Sequence, residues 1–181
     1  ERPLLFDPTC GSGLFLLEAL QLLGRGKRAE EKMEILSGCI FGADKDARAV
    51  ETARLLLLLA LVAEHPEALR RPLPRLNANL RAANSLFDAE DLGRERQALD
   101  SAPLSWKEAF PAAARRGGFD CVIGNPPYGL KRGSQLSELE NQLLKKRYAD
   151  FRSGKVNKYL AFMARGYELL APGARLCMVV P

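Results

Sequence analysis

Apolar positions along this chain follow two rhythms, short continuous runs and longer helical stripes, and the two alternate. Leu4 to Phe6 is a short apolar run that predicts a first strand, followed by the glycine loop DPTCGSG at residues 7–13. LFLLEALQLL then has a helical period and is stopped by Gly24. The charged stretch 25–34 predicts a linker with a short helix, and CIFGA at 39–43 a second strand. Residues 47–64 predict a helix capped by Asp46, whose unbroken LLLLLALVA run implies burial on more than one side. The proline- and arginine-rich stretch 65–79 predicts a loop. Residues 80–83 predict a third strand, 119–123 a fourth, ended by Gly124, and 176–180 a fifth. In the long connection 88–118, Trp106 and Phe110 stand at helical spacing and are expected to anchor it to the core. Ser137 and Glu140 form a capping box before a helix carrying Leu143, Leu144 and Tyr148. Asn157 caps a last helix running through Leu170, which Pro172 and Gly173 stop. Strands alternating with helices predict an α/β fold, a doubly wound and mostly parallel sheet with right-handed crossovers.

Composition narrows the class without naming a chemistry. With 181 residues, 47% apolar and 27% charged, the chain reads as one globular domain with a real core. The formal charge of +5 permits a polyanionic partner. The longest apolar run, Leu55 to Ala63, is too short to span a bilayer, so no membrane partner is expected. Cys10, Cys39, Cys121 and Cys177 form no CxxC pair, and reduced, buried thiols in a cytoplasmic protein are expected. His65 is the only histidine and is expected at the surface, which disfavours a zinc site or a histidine triad, and no metal is expected. Strand-like runs hard against both termini suggest an excised piece of a larger protein.

The candidate chemistry gathers at residues 119–128, FDCVIGNPPY. Two prolines after a buried strand forbid further strand or helix and leave Asn125, Pro126, Pro127 and Tyr128 as a stiff loop at the strand's carboxyl end, where open α/β sheets bind ligands. Residue 127 has no N–H to offer the Pro126 carbonyl. That carbonyl and the Asn125 side chain are two acceptors that can address one object with two hydrogens on one nitrogen, an exocyclic amine on a base. Tyr128 offers a face for a planar ring. An Asn-Pro-Pro alone also serves as a tight turn.

The glycine loop lacks the third glycine of the dinucleotide fingerprint, because position 16 is Leu16, and it has no P-loop lysine. With Asp7 at its start it suits a ligand amino group better than a pyrophosphate. Asp44, ending the second strand, can accept both hydroxyls of a ribose. Asn84, ending the third, can accept from an adenine amine and donate to a ring nitrogen, with Leu86 or Phe87 packing on the ring. Each position also admits an ordinary turn or cap role. The basic residues Lys131, Arg132, Lys145, Lys146, Arg147, Arg152, Lys155 and Lys158 make a solvated face or a phosphate contact.

With these motifs in place, the chain resembles the amino-methylating DNA methyltransferases, in particular the gamma-ordered adenine-N6 group of type IIG restriction–modification and phage-defence enzymes. DPTCGSG, GADKD, NANLRAANSLFD, GGFDCVIGNPPYG and KVNKYLAFMARGYELLAPGARLCMVVP resemble that group's motifs, in its order and over nearly the whole chain. The resemblance implies a Rossmann-like fold and S-adenosylmethionine as cofactor, surrounded by Asp7, Pro8, Thr9, Cys10, Gly11 and Gly13, then Asp44 and Lys45, then Asn84, Ser85 and Leu86. It implies Asn125, Pro126, Pro127 and Tyr128 as catalytic residues and double-stranded DNA, bound by the full-length parent, as partner. Relative to that pattern, residues 1–181 are expected to be a catalytic core fragment without its target recognition domain, its last two strands or the cofactor segment upstream of the first strand.

Other readings stay open. NPPY also occurs in glutamine methyltransferases acting on release factors, and DPxCGSG with NPPYG in ribosomal RNA guanine-N2 methyltransferases. A non-catalytic core that scaffolds a restriction assembly is a third. The cytosine-C5 reaction would need a cysteine after a proline, and the sequence has no Pro-Cys pair.

Overall fold

The computed structural model describes residues 2–92, 99, 101–128, 138–148 and 158–181. Five strands, β1 (Leu5–Asp7), β2 (Ile40–Asp44), β3 (Leu80–Ala82), β4 (Phe119–Gly124) and β5 (Leu170–Met178), form one sheet in the order β3-β2-β1-β4-β5, and every neighbouring pair is parallel. The order reverses between β1 and β4, which opens a crevice at their carboxyl ends.

The strands alternate cleanly between two cores. On β2, Ile40 joins a cluster with Leu16, Leu20, Val50 and Leu57 under the helices α1 (Leu14–Leu23), α2 (Ala29–Gly38) and α3 (Ala47–Glu64). Its neighbours Phe41 and Ala43 face the opposite side with Phe6, Trp106, Phe110 and Phe119. Phe6 stacks on Phe119 with ring centroids 4.7 Å apart. Trp106 and Phe110 thus anchor the long connection as expected, through α5 (Trp106–Ala109) and α6 (Pro111–Arg115); α4 (Ala89–Leu92) precedes them. A third cluster, with Leu86, Phe87, Leu144 and Phe162, lies under α7 (Glu138–Arg147) and α8 (Lys158–Glu168).

Several expectations need correction. Helix α3 buries one stripe only, Val50, Ala53, Leu57 and Leu61, while Leu55 and Leu59 are exposed. The spacing of the buried four is that of a single helical face, so the long leucine run does not mean burial on more than one side. The helix in the charged linker lies at 29–38, where Glu31 accepts from the Arg28 main-chain N–H at its start. Residues 66–70 and 76–78 of the expected loop form 3-10 turns. Helix α8 ends at Glu168, and the strand after it begins at Leu170 rather than 176. Pro172 and Gly173 fall inside β5, accommodated by a register shift opposite β4 between Phe119 and Cys121. On the other side of β4 the Asp120 and Cys121 N–H groups both donate to the Leu4 carbonyl, two residues against one as in a β-bulge. Of the four thiols, Cys10 and Cys39 are buried, Cys121 is half-buried, and Cys177 is exposed on β5. His65 is half-buried and contacts Glu67 at 3.1 Å. The Asn157 cap and the Ser137 end of the capping box lie outside the described residues, as do Lys131, Arg132, Arg152 and Lys155. No helix among the described residues is long and apolar enough to cross a membrane.

Candidate active site

A cavity of about 290 Å³ opens at the carboxyl ends of β1 to β4, on the crevice where the strand order reverses. Its lining takes Pro8 and Thr9 from the loop after β1, and Asp44 and Lys45 from the end of β2. Ala83, Asn84, Ser85 and Leu86 come from the segment after β3, and Asn125 and Pro127 from the loop after β4. Residues scattered over 120 positions of sequence therefore meet because parallel strands deliver all their exits to one edge.

The glycine loop is stitched to β2. The Cys10 N–H donates to the Ala43 carbonyl at 3.0 Å, and the Gly11 N–H to Asp44 Oδ2 at 3.0 Å. Asp44 Oδ1 accepts from the Asp46 N–H at 2.9 Å, so one carboxylate braces both its own turn and the neighbouring loop while lining the cavity. Gly13 opens α1 at φ 89°, in the left-handed region, and a Cβ there would stand 2.8 Å from the Ala53 Cβ on α3. Cys10, Gly11 and Gly13 support the loop without lining the cavity.

Asp7 is also set back. It is 1% exposed, and its Oδ1 accepts from the Thr9 N–H at 2.9 Å. Burial raises its pKa to about 7 against the lowering effect of the Thr9 bonds. Gly124, the last residue of β4, lies over this carboxyl: a Cβ would come 2.9 Å from Asp7 Oδ1. The close approach lets the Asn125 loop leave the sheet directly above the turn after β1.

In that loop Asn125 is exposed, Pro126 is buried, and Pro127 and Tyr128 are half-buried. The Tyr128 hydroxyl lies 2.8 Å from Asn125 Oδ1 and 3.0 Å from the Val179 carbonyl. Its ring meets Tyr159 edge-on at 6.4 Å.

Three further lining residues, Glu140, Lys158 and Phe162, were not assigned to the site from the sequence, where Glu140 read as part of a capping box and Lys158 as one of a basic set. Glu140 is 3% exposed and its Oε1 accepts from the Asn84 side-chain amide at 3.0 Å; Asn84 Oδ1 accepts in turn from the Leu86 N–H at 3.2 Å. Lys158, expected on a basic face, is buried in the cavity wall. Burial lowers its pKa, nearby Lys45 adds to this, and Glu140 opposes it. Of the other described basic residues, Lys145 and Lys146 are exposed, and Arg147 pairs with Glu168 at 2.9 Å. Arg165, 2% exposed on α8, donates to the Ser85 carbonyl at 2.9 Å and to Asp88 at 3.2 Å, holding the segment after β3 in place.

This architecture is shared with solved proteins. The electron cryomicroscopy structure of a DrdV–DNA complex superposes with a TM-score of 0.64 at 14% identity, covering 98% of this chain and 17% of that one. In sequence, the chain is 28% identical over 202 aligned residues to the type II restriction enzyme and methyltransferase RM.Eco57I of Escherichia coli, covering 97% of this chain and 19% of the relative. It is 28% identical over 166 residues to the adenine-specific methyltransferase PglX of Streptomyces coelicolor, covering 79% of this chain and 14% of that relative. The chain thus spans less than a fifth of the length of these relatives. Matched over residues 38–181, it belongs to the Eco57I restriction-modification methylase family.

Proposed function

We propose that residues 1–181 are a catalytic core for methyl transfer from S-adenosylmethionine to the exocyclic N6 amine of an adenine flipped out of double-stranded DNA, within a cytoplasmic restriction–modification or related defence enzyme. The observation that carries this reading is the meeting of Asn125 and Pro127 with Asp44 and Asn84 on one cavity. The curated relatives' names, adenine-specific methyltransferase among them, point the same way.

The residues present fit the cofactor. Asp44 offers carboxylate oxygens for ribose hydroxyls, Asn84 an amide for the adenine edge, and Phe162 and Leu86 apolar surface for the ring. The volume, just below the roughly 300–1,000 Å³ of small-molecule sites, suits an adenosyl group. Asp7, Gly11 and Gly13 act on the methionine end by shaping the loop that Pro8 and Thr9 present. When bound, S-adenosylmethionine supplies an electrophilic methyl group.

The adenine amine is a poor nucleophile, because its lone pair is delocalised into the ring. Asn125 Oδ1 and the Pro126 carbonyl accept its two hydrogens and favour a pyramidal nitrogen with its lone pair free. Tyr128 stacks on the extruded base. Two prolines hold both acceptors in place before the base arrives, so the loop acts by positioning and electrostatics.

Calorimetric titration of the intact protein with S-adenosylmethionine and, separately, NAD tests the cofactor class. Binding of the first alone, lost in Asp44→Ala, is expected. Binding of NAD, or of neither, would overturn it.

A further inference from the structure

We propose that Glu140 is a positioning residue that sets the cavity's preference for an amino-bearing purine, by locking the orientation of the Asn84 amide. The proposal rests on the cofactor reading above and adds a residue from α7 to it.

A carboxamide presents a carbonyl oxygen on one side and an NH2 on the other, and turning it over exchanges acceptor for donor. At Asn84 the two sides have partners of opposite character. The Leu86 main-chain N–H, a donor, lies 3.2 Å from Oδ1; the Glu140 Oε1, an acceptor, lies 3.0 Å from Nδ2. A turned amide would face donor with donor and acceptor with acceptor. Both bonds are buried, with Asn84 5% and Glu140 3% exposed, so water cannot rescue the mismatch. The Asn84 main chain is held as well: its N–H donates to the Ala102 carbonyl at 2.7 Å, and its carbonyl accepts from the Leu104 N–H at 3.1 Å.

Each end of the amide keeps capacity beyond these bonds, a second lone pair on Oδ1 and a second hydrogen on Nδ2. Asn84 and Glu140 both line the cavity. The locked amide therefore offers acceptor and donor in one fixed order. Adenine presents the matching pair, an amine hydrogen beside a ring-nitrogen acceptor. Hypoxanthine, with an oxo group beside a ring N–H, presents the reverse. A free amide would serve either base by turning over, whereas one held from both ends serves the first.

The test is equilibrium titration of the intact protein with S-adenosylhomocysteine and with S-inosylhomocysteine, its deaminated counterpart. The wild-type protein is expected to favour the adenosyl ligand by roughly tenfold or more, the scale of a mispaired buried amide. Glu140→Gln keeps the size of the side chain, and its own amide can pair with either orientation of Asn84. It is expected to narrow the ratio severalfold, chiefly through tighter inosyl binding. A merely structural role for Glu140 would weaken both ligands together and leave the ratio unchanged, which would overturn the proposal while sparing the cofactor reading. Equal binding of the two ligands by the wild-type protein would do the same, whether or not the variant folds. Failure of the wild-type protein to bind either ligand would overturn both.

Discussion

The Tyr128 hydroxyl lies 2.8 Å from Asn125 Oδ1, the atom we propose accepts an amine hydrogen, and 3.0 Å from the Val179 carbonyl. A phenol has one hydrogen, so these two acceptors compete for it. An incoming amine can take over Asn125 while the hydroxyl turns to Val179, a step that leaves neither acceptor unserved. Tyr128→Phe removes this exchange while keeping the ring. Methyl transfer to an adenine-containing duplex is expected to slow about tenfold, the scale of one hydrogen bond, with cofactor affinity unchanged in calorimetry. A rate equal to that of the wild-type protein would show that the hydroxyl only braces the loop.

Asn125→Ala deletes one of the two acceptors proposed for the amine. Transfer is expected to be abolished, whereas S-adenosylmethionine binding is retained. Loss of both activities would sink the division of labour between the loop after β4 and the rest of the cavity.

Asp7 couples stability to pH. Burial raises its pKa from 3.8 to about 7, so the folded protein holds this proton over a window in which the unfolded chain has released it. The stabilisation is full below about pH 4 and declines as pH rises to about 7, by ~1.4 kcal/mol per unit, then levels off. Urea unfolding of the wild-type protein and Asp7→Asn between pH 4 and 8 checks this. The wild-type protein is expected to lose ground to the variant across the window, and parallel pH profiles would contradict it.

Arg165 holds the segment after β3 from beneath, and its side chain is 3% exposed. Arg165→Leu leaves Asp88 without this cation and the Ser85 carbonyl without its donor. Stability is expected to fall by about 3 kcal/mol in denaturant unfolding, the scale for breaking a buried ion pair. Cofactor affinity falls with it, because Ser85 and Leu86 line the cavity. A stable variant with normal affinity would show that the segment is held by its apolar packing alone.

Gly124→Ala tests the approach of the two loops. The added methyl meets Asp7 Oδ1 at 2.9 Å and Thr9 Oγ1 at 3.3 Å, so the Asn125 loop must shift. Turnover is expected to fall by about a hundredfold, the scale of a small misplacement of reacting groups. A turnover near the wild-type value would show that the loop absorbs the methyl without moving.

The parallel α/β architecture and most of the cavity wall could be read from local patterns along the chain. Period-two and period-3.6 patterns report which way a residue faces, and glycines and prolines mark where strands release their chains; both are local properties. Asp44, Asn84 and Asn125 were legible because each closes a strand, and parallel strands all end on the same side. Pro172 and Gly173 read as a helix stop because local rules give them no other use; only pairing with β4 revealed a bulged strand around them. The long leucine run of α3 read as burial on more than one side, because hydrophobicity alone cannot say which faces find a partner. Glu140, Lys158 and Arg165 stayed hidden for a related reason. A charged residue on an amphipathic helix reads as solvent-facing, and its burial depends on a partner contributed by a distant segment. Glu140 meets Asn84 across 56 positions and Arg165 meets Ser85 across 80, contacts that come into being only when α7 and α8 pack over the end of β3.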